Sequence, residues 1–283
     1  IMEGKIIGLG EILWDMLPTG KQLGGAPANF AYHVCRLGGN GWAASAISDD
    51  ELGREIKNTL STKKLNTILE EVNEPTGTVQ VTLNAAGVPT YDITEGVAWD
   101  HIPFTEKIRN LAKETSAVCF GTLAQRSPES RETIRRFIEA MPEGSLKVYD
   151  INLRQKYYDE KIISDSLRMA DILKINDEEL EIVSKMLCLS GTSEERCRAI
   201  SREFNLKFVI LTMGGDGSKV ILEDRVHLST PDKINIVDTV GAGDSFTAAF
   251  MLAYLRGESI EKAHTLATQV SSYVCTKAGA MPE

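Results

Sequence analysis

Asp238-Thr239-Val240-Gly241-Ala242-Gly243-Asp244-Ser245-Phe246 is a glycine turn that runs straight into a helix, and it sets the reading of the whole chain. Phe246, Phe250 and Tyr254 recur at spacing four, Ala248, Ala249 and Ala253 allow close packing, and Gly257 is placed to end an amphipathic helix. A Gly-Ala-Gly turn at a helix start gathers free backbone N–H groups and the positive end of the helix dipole at one point. That is an anion site suited to a transferring phosphoryl group. A carboxylate in the first turn is a poor phosphate ligand, because like charges repel. Asp244 makes sense as a base that takes a proton from an attacking hydroxyl. The plainer alternative is an acid at a helix N-terminus, stabilising by about 0.3–1 kcal/mol. Taken alone the two readings are evenly matched, and the rest of the chain decides between them.

Outward from this turn, short apolar runs alternate with helix-period stretches. Lys5–Gly10, Ala117–Thr122, Leu146–Asn152, Ile172–Asn176 and Lys207–Thr212 read as strands, most of them rich in β-branched residues. Strands apolar on both faces belong in a sheet covered by helices. Ser127-Pro128 marks a helix start before Ile134, Phe137, Ile138 and Met141, and Thr192 with Glu195 is a capping-box pattern. The expectation is a doubly wound α/β fold in one domain over 1–283. Val79, Val81 and Leu83, a turn at Asn84–Pro89, then Tyr91 and Ile93 break the pattern and read as a hairpin with one buried face. With the extended piece Ile12–Leu17 it makes a small β lid, drawn from about 12–22 and 76–99.

Composition bounds the function. The 283 residues hold 31 Lys plus Arg against 40 Asp plus Glu, a net charge of −9. That argues against nucleic acid or an anionic membrane as the main partner. The five cysteines and four histidines form no zinc spacing and suit free thiols in a reducing cytosol, so a cytoplasmic protein is expected. No apolar run approaches the roughly 18 residues of a membrane span. Ile1 ahead of Met2, and the stop at Ala280-Met281-Pro282-Glu283, read as untidy ends.

Three further motifs accompany the glycine turn. Gly24-Gly25-Ala26-Pro27-Ala28-Asn29 lets a ligand approach the backbone and starts a helix at Pro27. Asp15 and Asn29 beside it are suited to vicinal hydroxyls; each also reads as part of a plain loop and cap. Thr212-Met213-Gly214-Gly215-Asp216-Gly217 follows a strand and can cradle phosphates, or simply turn a hairpin. Asn176-Asp177-Glu178-Glu179 is close to a capping box, or else offers Glu179 a water-mediated hold on Mg²⁺.

Together these segments resemble the ribokinase-like carbohydrate kinase family, of the phosphofructokinase-B type. Gly24–Gly39 is similar to its N-terminal glycine signature and Asp238–Phe246 to its C-terminal one. Asn176–Glu179 resembles its Asn-x-x-Glu motif, and Thr212–Gly217 its Thr-x-Gly-x-x-Gly motif. The GEILWD, GGAPAN, GTLA (Gly121–Ala124) and DINLR (Asp150–Arg154) segments look most like the bacterial fructokinase branch. The resemblance implies a central, mostly parallel sheet flanked by helices, with a small β lid. It makes Asp244 the base and puts the backbone of Gly241, Ala242 and Gly243 at the anion hole. It sets Arg154 near the acceptor or transferred phosphate. Asp15, Gly25 and Asn29 would contact the sugar. Asn176, Thr212, Gly214 and Gly217 would serve the nucleotide, Glu179 a hydrated Mg²⁺, and Asp238 a monovalent cation such as K⁺. The implied ligands are ATP, Mg²⁺ and a sugar; the oligomeric state stays open, and the hairpin's exposed edge could pair across a homodimer. Thr268–Gly279 departs from the family's alanine-rich form, so adenine contacts stay unassigned.

Charge narrows the acceptor. The 42 residues between Lys64 and Lys107 contain no Lys or Arg, and they include the whole hairpin. A sugar phosphate or sugar acid needs a cation over its charged end, and Asp92 and Glu95 would repel one. A neutral sugar is favoured, fructose first; Lys21 and Arg154, outside the hairpin, weaken the argument. Ribose, a nucleoside, 2-keto-3-deoxygluconate or a sugar phosphate are the rival acceptors, and a sugar sensor on a dead kinase scaffold is the rival from another class. A dinucleotide oxidoreductase fails, because Leu13 stands where the third glycine after Gly8-Leu9-Gly10 belongs.

Overall fold

The computed structural model describes residues 4–83 and 89–283. Among these, nine strands form one sheet and four form a second, smaller sheet. The large sheet holds, in spatial order, β13 (Val226–Ser229), β12 (Ser218–Ile221), β11 (Phe208–Thr212), β10 (Ile172–Asn176), β9 (Leu146–Asp150), β8 (Thr115–Phe120), β1 (Lys5–Leu9), β4 (Gly41–Ser48) and β5 (Asn66–Val72). All neighbours from β11 to β5 pair in parallel; β12 and β13 add antiparallel at one end. The mostly parallel, helix-flanked architecture is the one expected.

Period-two alternation sorts the strand residues between two cores. Ile7, Val118, Tyr149 and Leu173 face one side, with α3 (Glu106–Lys113), α4 (Pro128–Ala140), α5 (Glu160–Met169), α6 (Asp177–Met186) and α7 (Ser193–Phe204). Ile6, Ala117, Val148, Ile172 and Ile210 face the other, with α1 (Ala26–Arg36), α8 (Ala242–Leu255) and α9 (Ile260–Cys275). α2 (Glu51–Thr62) closes the latter face against Ala43 and Ile47. The helix after the glycine turn is not the amphipathic element its sequence suggested. Every residue from Ser245 to Ala253 is buried, because α8 lies on the sheet between α1 and α9. A helix covered on several sides is apolar around its circumference.

β4 and β5 went unread in the sequence. Gly-Trp-Ala-Ala-Ser-Ala-Ile-Ser is built of small residues, yet its alanines are buried under helices. The Thr192–Glu195 capping box forms at α7. Ser127 precedes α4 at the expected place, but its side chain makes no capping bond, and Pro128 alone marks the start.

The small sheet orders β3 (Gly20–Gly24), β2 (Leu13–Leu17), β6 (Gly77–Leu83) and β7 (Pro89–Ile93). β2 joins the hairpin by pairing in parallel with β6. Val79, Val81 and Ile93 are buried, whereas Tyr91, opposite Val81, is 53% exposed. Of the expected turn at Asn84–Pro89, residues 84–88 lie outside the described residues, and Pro89 opens β7. Beyond Ile93 the chain leaves this sheet: Trp99 is fully buried in the main core, with the Arg126 guanidinium 4.0 Å from its ring centre. Trp14 is also buried, and its Nε1 donates to Leu52 O at 3.0 Å. Both tryptophans therefore pack the scaffold.

Candidate active site

The carboxyl ends of parallel strands are where open α/β sheets bind ligands, and here the ends of β1, β8, β9 and β10 meet the N-termini of α1 and α8. The α8 N-cap, Gly241, has φ 77°, in the left-handed region. A Cβ on it would stand 2.8 Å from Ala280 backbone atoms, so both conformation and space require glycine. Gly25 caps α1 with φ 112°, and a Cβ there would lie 2.5 Å from Glu11 O. Its glycine is demanded by packing against the β1–β2 loop, a reason distinct from sugar contact.

Asp244 sits in the first turn of α8, and Asn29 Nδ2 donates to its Oδ2 at 2.8 Å. Asn29 is 4% exposed, and its Oδ1 is buried without a hydrogen-bond partner. Burial, then the Asp150 charge, pushes the Asp244 carboxyl up to about 6 against the opposing pull of Asn29, Lys174 and Arg154. A narrow cavity on this side is lined by Glu11, Thr122, Asp150, Asn152, Asp244 and Thr247. Glu11 is 5% exposed, and burial pushes its carboxyl up to about 7, with Asp244 adding to the rise. Asp15 lies on β2, its carboxyl raised by burial and pulled back by Arg154. Arg154 itself is exposed, and its charge reaches Glu11, Asp15 and Asp244 together.

On the other side of the α8 N-terminus lies an open cleft of about 820 Å³, within the roughly 300–1,000 Å³ of small-molecule sites. Asn176, Thr212, Gly214 and Gly217 all line it, along with Ala242 and Gly243. A Cβ on Gly214 or Gly215 would meet nothing within 4 Å, so that backbone is open to a ligand. Phe246, Ile234, Ile236, Thr268, Ser272 and Cys275 complete the walls. Sequence reasoning gave none of these six a ligand contact: Phe246 was read only as part of the glycine-turn signature and its helix, and the other five come from a loop and from α9, which carry no motif.

Glu179 and Asp238 have local bonds to account for. Glu179 Oε2 accepts from Asn176 N at 2.9 Å and Asn176 Oδ1 accepts from Glu179 N at 2.7 Å, a complete capping box. Its Oε1 accepts from Leu153 N at 2.8 Å. Both oxygens thus hold loops together, and a Mg²⁺ would be reached through its own waters, several of which it commonly keeps. Among the described residues no group of three or more His, Cys, Asp or Glu is arranged around a metal position. The hard oxygens of Asn176, Asp177 and Glu178 on the cleft wall fit an ion that arrives with phosphate. Asp238 Oδ1 accepts from Val240 N at 3.0 Å, and Oδ2 from Gly279 N at 3.0 Å, tying the glycine turn to the C-terminal segment.

Lys174 and Asp150, like Glu11, are charged residues that sequence reasoning left without a role. They are register partners on β10 and β9, and Lys174 Nζ lies 2.8 Å and 3.0 Å from the two Asp150 oxygens. Burial pulls the Lys174 ammonium's pKa down, but the Asp150 charge and hydrogen bonds, with Asp244 and Glu179, leave it above its ordinary value. The available signal was a lysine inside the apolar strand Ile-Leu-Lys-Ile-Asn.

A sheet of this order, with a glycine-turn anion site and a raised carboxyl between two cavities, defines a ribokinase-like phosphotransferase. The pfkB family carbohydrate kinase profile matches residues 17–283, and the chain belongs to that family. It is an ATP-dependent sugar kinase. An uncharacterized sugar kinase of Pyrococcus horikoshii is 28% identical over 301 residues, covering 99% of this chain and 93% of its own length. The crystal structure of that protein with ATP superposes with a TM-score of 0.83 over 98% of this chain and 94% of that one, at 26% identity. A fructokinase of Klebsiella pneumoniae is 29% identical over 267 residues, 88% of this chain and 84% of that protein. A Xylella fastidiosa fructokinase with bound ATP shares the fold at a TM-score of 0.86 and 17% identity, over 98% of this chain and 94% of that one. No helix among the described residues is long and apolar enough to cross a membrane.

Proposed function

We propose that the protein transfers the γ-phosphoryl group of ATP to a hydroxyl of a neutral sugar, with fructose giving fructose 6-phosphate. The carrying observation is the position of Asp244, which lines the narrow cavity while the preceding residue, Gly243, lines the open cleft. The sugar occupies the side of Asp15, Gly25 and Asn29. The nucleotide occupies the cleft of Asn176, Thr212, Gly214 and Gly217. Asp244 takes the hydroxyl proton, the oxygen attacks the γ-phosphorus in line, and the N–H groups of Gly241 and Gly243 receive the developing charge; the Ala242 N–H donates to Thr239 O at 3.2 Å and joins them only when that turn bond opens. Asn29 orients the base and keeps Oδ1 for a donor on the acceptor. Arg154 faces the acceptor or the transferred phosphate from the rim. Glu179 would hold a Mg²⁺ through its waters, which would supply further neutralisation, and Asp238 would stand beside a K⁺.

The preference for fructose rests on charge and on the fructokinase relative. Within the small sheet the cations come from β3 and neighbouring loops. Lys21 is ion-paired with Glu55, and Lys156 lies 3.7 Å from Glu95. The inner cation, Arg126, is held by Asp100 and by Thr94 O under the sheet. Lys21 and Lys156 are thus engaged by carboxylates, while Arg126 keeps Nη1 buried without a hydrogen-bond partner. An ADP-release assay across neutral sugars, sugar phosphates and sugar acids tests the reading. Fructose should give the highest kcat/KM, and a preference for a charged acceptor overturns it. The outer strands of the small sheet, β3 and β7, have no strand beside them and suit a homodimer, although on β7 Tyr91 O accepts from Gln155 Nε2 at 2.7 Å and Ile93 O from Tyr157 OH at 3.3 Å; sedimentation as a monomer at high concentration refutes that part. A protein of this kind works in the cytoplasm, where ATP and free sugar meet.

A further inference from the structure

A lysine is almost never buried unless it is paired, and a buried ion pair is seldom more stable than well-packed apolar residues in its place. Lys174 is 8% exposed, between the fully buried Leu173 and Ile175. The fold gains little from a charge there, so its placement calls for another reason.

The geometry supplies one. Asp150 holds the Lys174 ammonium through two hydrogen bonds, of 2.8 Å and 3.0 Å. Thr247 Oγ1, on α8, lies 3.1 Å from the same Asp150 Oδ2 and 2.9 Å from Gly243 O and shares its single proton between them, which sets the ion pair against the first turn of α8. A Cβ built on Gly243 would stand 3.3 Å from Lys174 Nζ. The missing side chain therefore leaves the ammonium against the glycine turn, with one of its three N–H donors beyond those used by Asp150. Around it stand the carboxylates of Asp244, Asp150 and Glu179, and the other cation acting on Asp244, Arg154, is exposed. A fixed charge in a low-dielectric position acts more strongly than one screened by water.

We propose that Lys174 is a further catalytic residue, whose ammonium, clamped by Asp150 beneath Gly243, contacts the transferring phosphoryl group and offsets the charge gathering on its oxygens. This rests on the reading of Asp244 and the glycine turn as the phosphoryl-transfer site.

The test measures wild type, K174M, K174R, D150N, the charge-balanced K174M/D150N and D244N with ATP and fructose. Thermal unfolding is followed in parallel, with ADP alone and with ADP, aluminium fluoride and fructose. K174M should lose about 10²–10³-fold in kcat, the scale of one missing oxyanion donor, while its KM for fructose stays within about threefold. K174R should keep more activity than K174M. The double variant should regain unfolding temperature yet remain as slow as K174M, and so keeps the test valid if the single variant folds poorly. ADP alone should stabilise K174M and the double variant as it does wild type, and the extra stabilisation by aluminium fluoride should vanish in these two. A double variant within about threefold of wild-type kcat would show that only an unbalanced buried charge mattered, and overturns the proposal. So does a K174M enzyme of normal turnover beside an active wild type and a dead D244N. A wild type inert to every sugar, or a D244N of normal turnover, instead overturns the parent reading and this inference with it.

Discussion

Asn29 Nδ2 and Asp244 Oδ2 meet at 2.8 Å across 215 positions of the chain. The bond joins the first turns of α1 and α8, so each of the two glycine motifs supplies one member of a single polar pair. It also ties the ionisation of Asp244 to the identity of residue 29. Asn29→Asp would set a second carboxyl against the first, and like charges at this range raise one pKa strongly. The acid limb of kcat/KM should move up by about one pH unit or more. A pH–rate profile identical to wild type would mean that the two side chains part when substrate binds.

Asp244→Asn should lower kcat by about 10²–10⁴-fold, the range for a general base, and leave fructose binding within about threefold by calorimetry. Turnover near the wild-type rate would remove Asp244 from the mechanism.

The pH dependence follows from the same carboxyl. Its folded pKa is raised from 3.8 to about 6, chiefly by burial. The base must be ionised, so kcat/KM should fall about tenfold per unit below that point. Stability carries the opposite sign. Between 3.8 and about 6 the native state holds the proton that the unfolded chain has released, so Asp244 costs stability as pH rises through this window. D244N should therefore unfold at a higher temperature than wild type at pH 8, by of order 1–3 kcal/mol. The gain should disappear below about pH 4, and chemical denaturation at the two pH values measures it.

Glu11 makes a related prediction. Its carboxyl is pushed up to about 7 by burial, so it opposes folding only once it ionises. Glu11→Gln should raise the unfolding temperature at pH 8.5 and leave it unchanged at pH 4. A loss of stability at pH 8.5 would mean that the ionised carboxylate holds a cation or a loop.

Gly241→Ala should be damaging for two separable reasons. The left-handed φ of 77° carries a penalty of about 1–2 kcal/mol for a residue with a Cβ. The new methyl would also press on Ala280 from 2.8 Å. That segment is held from α1 by Tyr32 OH donating to Pro282 O at 2.8 Å and by the His33 Nε2–Ala280 O bond at 2.8 Å. A lower unfolding temperature together with a reduced kcat is expected. An unchanged kcat would mean that the turn does not need this brace.

Much of the site was legible because its parts are local. A glycine at a helix cap, a proline at the first helical position and a Glu three residues after Asn each announce their own geometry. The residues of the nucleotide cleft that sequence reading found, Asn176, Thr212, Gly214 and Gly217, all belong to such turns. The residues it passed over do not. Lys174 looks like a flaw in a strand until β9 is laid beside β10, and Glu11 like one more loop acid until α8 descends on it. The amphipathic reading of α8 failed likewise, since only packing reveals how many sides of a helix are covered.

The chain's own order of residues determined the strand–helix alternation, the turn conformations and the glycine-turn motif that marked a phosphotransferase. These depend on backbone sterics and on periodicities of two and 3.6, which act over a few neighbours. The folded arrangement alone decided which acids are desolvated, which lysine they hold, and that one carboxyl stands between two cavities. Those properties arise from burial and from charges far apart in sequence, and no local window of residues contains them.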